Sequence, residues 1–264
     1  MRKAVSRHGM DQTVFETVYR GRQGALNHMA YMRTGKVLLA LRALAQAGIR
    51  LSGKSVFDYG FGAGTFYRYC PKDSRLFGVE MDEQNVRDVQ TMLTDGGWQA
   101  DLQKIDLAEW NLHPLLKKSY DVFLCSHVLE HLPDPVDFLR AVRPAVAPDG
   151  VFLGLVPVNE WVTNPHHVHS PDRAMVTRWM EAAGYELLSY EENDPFTYHT
   201  MALFAVDSGW RRVAAQAVSL GLGIPASLMG GRAWFALGTV FAKLTGARPV
   251  QAVFLCRPLS APAR

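Results

Sequence analysis

The sequence has only three cysteines in 264 residues, and they lie far apart. No C-x-x-C pair or iron–sulfur spacing occurs, which argues against structural zinc and iron–sulfur radical chemistry. Cys125 and Cys256 fall in apolar, strand-like runs, where a thiol usually serves as a small core side chain. The N-terminus begins Met1-Arg2-Lys3 but lacks the apolar run that would follow in a signal peptide. We therefore expect a cytoplasmic protein.

A large excess of one charge is also missing. The chain has 28 Lys and Arg against 25 Asp and Glu, a formal net charge of +3. Basic residues form short pairs such as Lys117-Lys118, with no basic stripe, so the sequence gives little support to nucleic-acid binding. Because 48% of the residues are hydrophobic, the chain can bury one large core.

A glycine-rich turn is the most informative feature that is present. The apolar run that begins at Val56 reaches Asp58 and then three alternating glycines, Gly60, Gly62 and Gly64. Such a turn lets a ligand approach bare backbone. Glu80 ends the next apolar run, where its carboxylate can accept hydrogen bonds from both hydroxyls of a ribose. The pattern predicts an adenosine-type ligand.

The type of adenosine ligand follows from two mismatches with the dinucleotide fingerprint. Thr65 stands where the third glycine of G-x-G-x-x-G should be. Asp58 would repel a pyrophosphate but attract a cationic ligand. S-adenosylmethionine has an amino group, a sulfonium and no phosphate, so it suits the turn better than NAD. The glycine turn itself contains no Gly-Lys-Ser/Thr, so it does not match a phosphate loop.

In order and spacing, these features resemble the class I S-adenosylmethionine-dependent methyltransferases, from about Lys54 to Tyr190 and again near Val250. The resemblance implies a cofactor site of ten residues: Asp58, Gly60, Phe61, Gly62, Gly64, Glu80, Met81, Asp106, Leu107 and Ser126. Within it, Met81 would lie against the adenine and Asp106 would reach the adenine amino group. For Asp106 the alternative is a helix N-cap.

Alternating strand-like and helical runs predict a Rossmann-like α/β fold, a doubly wound, mostly parallel sheet. The strand-like runs are Ser55–Tyr59, Arg75–Glu80, Trp98–Ile105, Tyr120–Cys125 and Gly150–Val156, and the helical ones are Asn85–Leu93, Pro135–Val146 and Asp172–Ala183. The resemblance adds Tyr185–Tyr190 and an antiparallel last strand, Gln251–Arg257, which gives seven strands. We expect an N-terminal helical cap in residues 1–52, with a helix over Ala25–Ala47, and a methyltransferase domain in residues 53–264.

Residues 191–249 form a predicted helical insertion before the last strand. Val213–Gly231 has no charged residue, but Pro225 and several Gly and Ser residues make it a poor membrane span. We expect two short helices broken at Gly223-Ile224-Pro225. Aromatic and basic residues at both ends, as in Trp210-Arg211-Arg212, favour peripheral contact at the inner face of a membrane. A buried lid and a homodimer face are the alternatives.

Histidines, whose pKa suits proton removal from an acceptor, occur in two groups. His127 and His131 follow the fourth strand, at the ligand side of the sheet. Leu129-Glu130-His131 and the following Pro-Asp-Pro resemble the quinone-precursor O-methyltransferases, in which an acid three residues before the Glu completes a divalent-metal site. His127 stands at the acid's position. On a helical turn His127, Glu130 and His131 would share a face, so metal binding, metal-free catalysis and packing all stay open. The same letters match an inverted zinc-protease motif, but the Rossmann-like context excludes that enzyme.

The second group, His166, His167 and His169, follows the fifth strand in a loop that closes over the acceptor in the family. Its two prolines, Pro165 and Pro171, stiffen the loop. The candidate catalytic residues are therefore His127, His131 and His167, with a solvent-exposed polar loop as the alternative for the second group.

The sequence predicts an S-adenosylmethionine-dependent methyltransferase that acts on a small or lipid-linked metabolite. The Asn/Asp-Pro-Pro-Tyr/Phe motif of amino-group methyltransferases is missing after the fourth strand, which favours an oxygen acceptor. The alternatives are a nicotinamide-dependent oxidoreductase and a non-catalytic accessory protein recruited to membranes.

Overall fold

The computed structural model describes residues 30–106, 108, 110–161, 166–201 and 209–259. A single sheet of seven strands runs through them, in the order β3-β2-β1-β4-β5-β7-β6. β1 to β5 are parallel, and β7 is antiparallel to both β5 and β6. The strands are β1 (Ser55–Tyr59), β2 (Arg75–Glu80), β3 (Gln99–Lys104), β4 (Tyr120–Ser126), β5 (Val146–Pro157), β6 (Tyr185–Asn193) and β7 (Gln251–Pro258). The predicted fold class is confirmed.

Among the described residues, five α-helices cover the sheet: α1 (Tyr31–Gln46), α2 (Glu83–Asp95), α3 (Pro135–Val142), α4 (Arg173–Ala182) and α5 (Gly209–Thr245). Local chemistry sets several of their starts. Asp82, Asp134 and Asp172 each accept hydrogen bonds from backbone N–H groups in the first turn of α2, α3 and α4. For the predicted helix Ala25–Ala47, residues 25–29 lie outside the described residues.

The central strands are buried on both faces, and alternate residues of each strand enter different cores. Val56 and Leu124 pack with α1, α2 and α5, whereas Phe57 and Cys125 pack with α3 and α4. This alternation explains why these strands read as continuous apolar runs. Because β1, β2, β4 and β5 are parallel, their carboxyl ends lie together at one edge of the sheet. β1 and β4 are neighbours at this edge.

The predicted helix break at Gly223-Ile224-Pro225 is wrong. α5 continues through Pro225, and its interruption lies at Gly230, which has φ 72° and ψ 160°. Proline removes a single backbone hydrogen bond and is tolerated as a bend. Gly230 instead adopts a positive φ that glycine alone takes without strain.

α5 packs against α1 through apolar side chains, one glycine contact and two hydrogen bonds. A Cβ on Gly231 would lie 2.8 Å from the backbone oxygen of Leu38, so the two helices approach closely there. Trp234 Nε1 donates a hydrogen bond to Tyr31 Oη at 2.7 Å, and Met32 N donates to Ser219 Oγ at 3.2 Å. The insertion and the N-terminal helix thus form one layer over the sheet.

Candidate active site

The glycine turn lies at the carboxyl end of β1. Gly60, Gly62 and Gly64 have φ values of 73°, 53° and 66°, which a residue with a Cβ rarely adopts. Two of them are also packed tightly, since a Cβ would lie 3.2 Å from Val128 at Gly60 and 2.4 Å from Val89 at Gly64. A Cβ at Gly62 would meet nothing within 4 Å, so this part of the turn borders open space.

Asp58 lies at the end of β1, two residues before Gly60, and is 4% exposed. Its Oδ1 is buried and has no hydrogen-bond partner in the described part of the chain. Burial raises the pKa of this carboxyl well above its usual range, and the negative charge of Glu80 adds to the effect. A buried acceptor without a partner is costly, and a cationic ligand would remove that cost.

Glu80, at the end of β2, forms hydrogen bonds with the glycine turn and lies at the edge of the predicted cofactor site. Its Oε2 accepts a hydrogen bond from Gly62 N at 2.7 Å, and its Oε1 accepts from Met81 N at 2.7 Å and Asp82 N at 3.2 Å. Burial raises its pKa, and these N–H groups oppose that rise. A carboxylate has about four acceptor positions, so roughly one stays available for a ribose hydroxyl.

The remaining predicted cofactor residues occupy the same edge of the sheet or its neighbourhood. Phe61 is buried in the core, and Met81 and Ser126 are half-buried at the ends of β2 and β4. Asp106 is exposed, and its Oδ1 accepts a hydrogen bond from Ala108 N at 2.9 Å, as in an Asx turn. Leu107 lies outside the described residues. The Asp58 oxygen that has no partner in the described chain fits the ammonium group of S-adenosylmethionine. The open turn at Gly62 fits the amino-acid end of the same molecule.

His127 directly follows β4 and has a left-handed backbone, with φ 57°. Its Nδ1 lies 3.0 Å from Glu130 Oε1, and its Nε2 lies 2.6 Å from Gln251 Oε1. Its Nε2–H can donate to Gln251, whereas Nδ1 forms an ion pair with Glu130 only when the ring is protonated. Burial lowers its pKa, and the charge of Lys36 lowers it further.

The expectation that His127, Glu130 and His131 share one helical face is wrong. The left-handed φ of His127 precludes it, and a short 3-10 turn starts only at Leu129. Instead, the loop after β5 folds back onto this turn. Val168 N and His169 N donate hydrogen bonds to the Glu130 backbone oxygen at 2.8 and 3.2 Å.

That loop joins the two predicted histidine groups into one cluster. The rings of His131 and His167 lie edge to face, with centroids 4.9 Å apart. His131 Nδ1 pairs with the His166 backbone oxygen at 2.9 Å, and His167 Nδ1 lies 2.7 Å from Glu160 Oε2. Ligand atoms of Glu130, His131 and His167 all lie within 4.8 Å of one another. His167 therefore takes the place that the sequence assigned to His127 in a metal-binding set.

The cofactor half and the histidine half of the site meet at Val128. Its side chain abuts Gly60, and Glu130 follows it by two residues. Glu130 is 0% exposed, and its Oε2 has no hydrogen-bond partner among the described residues. Glu130, whose Oε2 lacks a partner in the described chain, thus lies with two imidazoles close in sequence to the residue that contacts the glycine turn.

Sequence reasoning missed Lys36 and Asp194. Lys36 projects from α1, and burial lowers its pKa to about 8, opposed by the charge of Glu130. Asp194 has φ 67°, and burial raises its pKa to about 7. Its Oδ1 is buried without a partner in the described chain. One feature of the sequence could have indicated Lys36, namely its position directly before the apolar run that starts at Val37.

Together, the sheet order, the glycine turn and the paired strand-end carboxylates define a class I S-adenosylmethionine-dependent methyltransferase. The chain belongs to the family described as a methyltransferase domain, whose model matches residues 30–190. It is 28% identical over 123 residues to a ubiquinone biosynthesis O-methyltransferase of Pasteurella multocida, a match that covers 44% of this chain and 51% of that protein. The chain thus spans about half the length of this relative.

Two solved structures show the same fold at low identity. Coclaurine N-methyltransferase, bound to N-methylheliamine and S-adenosylhomocysteine, has a TM-score of 0.64 at 12% identity, covering 95% of this chain and 83% of its own. The [4+2]-cyclase SpnF has a TM-score of 0.58 at 14% identity, covering 88% and 84%. These likenesses concern the fold alone, and the named reactions of the two proteins differ.

Proposed function

We propose that the protein transfers the methyl group of S-adenosylmethionine to a hydroxyl oxygen of a small or lipid-linked, quinone-like metabolite. The observation that carries the proposal is the cluster of Glu130, His131 and His167 beside the glycine turn. Such a cluster can remove a proton from a hydroxyl, as an oxygen acceptor requires. The similarity to the Pasteurella multocida O-methyltransferase supports the same type of acceptor.

Within the cluster, His167 is the proposed general base. Glu160 lies 2.7 Å from its Nδ1, which fixes the tautomer and the orientation of the ring. His131, held through Nδ1 by the backbone of the same loop, positions the His167 ring by edge contact. When bound, the cofactor supplies an electrophilic methyl group on a sulfonium. The protein binds, orients and deprotonates the acceptor.

In a second arrangement the same three side chains hold a divalent cation, and His167 then serves as a ligand instead of the base. One carboxylate and two imidazoles are a donor set that suits zinc, iron and related metals. A bound cation would lower the pKa of an acceptor hydroxyl. We expect His131→Ala and His167→Ala to abolish any thermal stabilisation by added zinc or manganese, read without cofactor or acceptor present.

The decisive experiment incubates the protein and a host extract with S-adenosylmethionine labelled at the methyl group, followed by identification of the labelled product. We expect an O-methylated product with the wild type and at least about 100-fold less with His167→Asn, in keeping with the usual contribution of a general base. A labelled amine or carbon product would refute the acceptor. Cofactor binding without any product would instead favour the accessory-protein alternative.

The oxidoreductase alternative is tested separately by thermal shift. We expect S-adenosylhomocysteine to raise the melting temperature and NAD(H) to leave it unchanged, because Asp58 disfavours a pyrophosphate. Stabilisation by NAD(H) alone would contradict the proposed cofactor.

A further inference from the structure

The outer face of α5 exposes a long apolar stripe. Before the interruption at Gly230 it includes Trp210, Val213 and Leu228, which are 69%, 70% and 83% exposed. After the interruption it continues with Leu237 and Leu244, which are 44% and 81% exposed. Within each half of α5 these side chains share one side, because Val213 and Leu228 lie 3 and 18 residues after Trp210, and Leu244 lies 7 residues after Leu237. Monomeric soluble proteins rarely leave so extended an apolar surface uncovered.

The inner face of the same helix is already used. Ala226, Trp234 and Phe235 are buried in the core that α5 shares with α1. Ser219 and Trp234 hydrogen-bond to α1 residues. The exposed stripe therefore lies opposite a packed face, and the fold of the described chain does not require its apolar character.

Charge identifies what would cover the stripe. Residues 209–264 contain no Asp or Glu, but they contain seven basic residues: Arg211, Arg212, Arg232, Lys243, Arg248, Arg257 and Arg264. The first 208 residues hold the other 21 basic residues and all 25 acidic ones. Of the basic residues near the stripe, Arg232, Lys243 and Arg248 are exposed. The apolar stripe thus lies in a segment of the chain whose only charged residues are basic.

We propose that the outer face of α5 docks onto an anionic lipid bilayer surface, with the helix lying in the interface. Exposed apolar side chains would enter the boundary between headgroups and acyl chains, and the flanking cations would meet anionic headgroups. This inference does not depend on the proposed reaction. If both hold, docking places α5 between the bilayer that holds a lipid-linked acceptor and α1, which carries Lys36 of the candidate site.

Spanning the bilayer is the less suitable arrangement. Val213–Thr245 has the length for a span, and an 18-residue stretch of it has a mean hydropathy of 1.4. However, a span would have to break the contacts of Ser219 and Trp234 with α1 and would leave the Gly230 interruption in hydrocarbon.

A second copy of the chain is also a poorer partner than lipid. A two-fold interface places the same patch on both sides. Here each side would bring basic residues and no acidic ones, so like charges would face each other across the interface.

The test is flotation of the full-length protein with phosphatidylcholine vesicles, with and without phosphatidylglycerol. We expect binding to the phosphatidylglycerol vesicles that weakens as salt is added. The double variant Leu228→Glu/Leu244→Glu should bind at least about tenfold more weakly, because each exposed leucine it removes would otherwise be buried in lipid. The matched control Leu112→Glu/Leu259→Glu alters leucines that are 61% and 50% exposed outside α5, and it should bind like the wild type.

A second measurement avoids any folding defect of the double variant. Brominated acyl chains should quench part of the wild-type tryptophan fluorescence, and Trp210→Phe should remove that part. Absence of vesicle binding by the wild type, or equal binding by the double variant and its control, would overturn the proposal. Concentration-dependent dimers that only Leu228→Glu/Leu244→Glu dissolves, without vesicle binding, would identify the stripe as a dimer face instead.

Discussion

Replacing Asp58 with Asn separates cofactor binding from stability, because the two should change in opposite directions. The carboxylate Oδ1 is buried with no partner in the described part of the chain, so its desolvation cost is already borne by the apoprotein. A ligand ammonium would gain a charge-assisted hydrogen bond, worth about 1.5–3 kcal/mol. Because each 1.4 kcal/mol is about tenfold in affinity, we expect Asp58→Asn to weaken S-adenosylmethionine binding roughly 10- to 100-fold, measured by calorimetry.

The stability of the same variant should rise at neutral pH. The pKa of the Asp58 carboxyl is higher in the folded state than in the unfolded state. The protein therefore loses stability as the pH increases between those two pKa values. Asn has no such proton, so Asp58→Asn should be more stable than the wild type at neutral pH, and the difference should vanish at acid pH. Thermal melts across pH measure this, with the exposed Asp95→Asn as the control.

A folded Asp58→Asn protein with unchanged affinity would refute the role of Asp58 in binding the cofactor. Weaker binding together with lower stability at neutral pH would show that the carboxylate supports the fold instead.

Three further results are expected. Gly64→Ala should lower the free energy of unfolding more than Gly48→Ala in denaturant titrations, because both have positive φ but only Gly64 would press a Cβ into Val89. Lys36→Met should raise stability at neutral pH and lower the turnover of the enzyme. Because burial lowers the pKa of Lys36 to about 8, the wild type regains stability only as the pH rises from about 8 towards 10.5. His127→Asn should stay folded, since Asn tolerates a left-handed φ, whereas His127→Val should melt at a lower temperature.

The sheet was predictable because each strand carries its own local signal. Ser55–Tyr59 and Arg75–Glu80 end where the sequence predicted, since a buried parallel strand is a continuous apolar run that stops at a polar residue or a glycine. The interruption of α5 was not predictable in the same way. A proline inside an apolar segment resembles a helix end, and only the close approach of Gly231 to Leu38 favours an interruption one turn later.

The two halves of the candidate site differ in how far the sequence alone predicts them. The glycine turn, Asp58 and Glu80 follow neighbouring strands, so the parallel sheet alone brings them together. The acceptor side requires contacts between segments far apart in the chain. Gln251 on β7 reaches His127, and the loop after β5 brings His167 to His131.

Those contacts decide which histidine can act on a substrate. The spacing of the histidines along the sequence does not decide it. His127 has the position of a metal ligand in the motif, yet Glu130 and Gln251 occupy both of its ring nitrogens. His167 has no motif, yet it is held by a carboxylate in the arrangement of a general base. Motif spacing therefore located the site, whereas the choice of His167 over His127 as the base depends on a loop that folds back from the next strand.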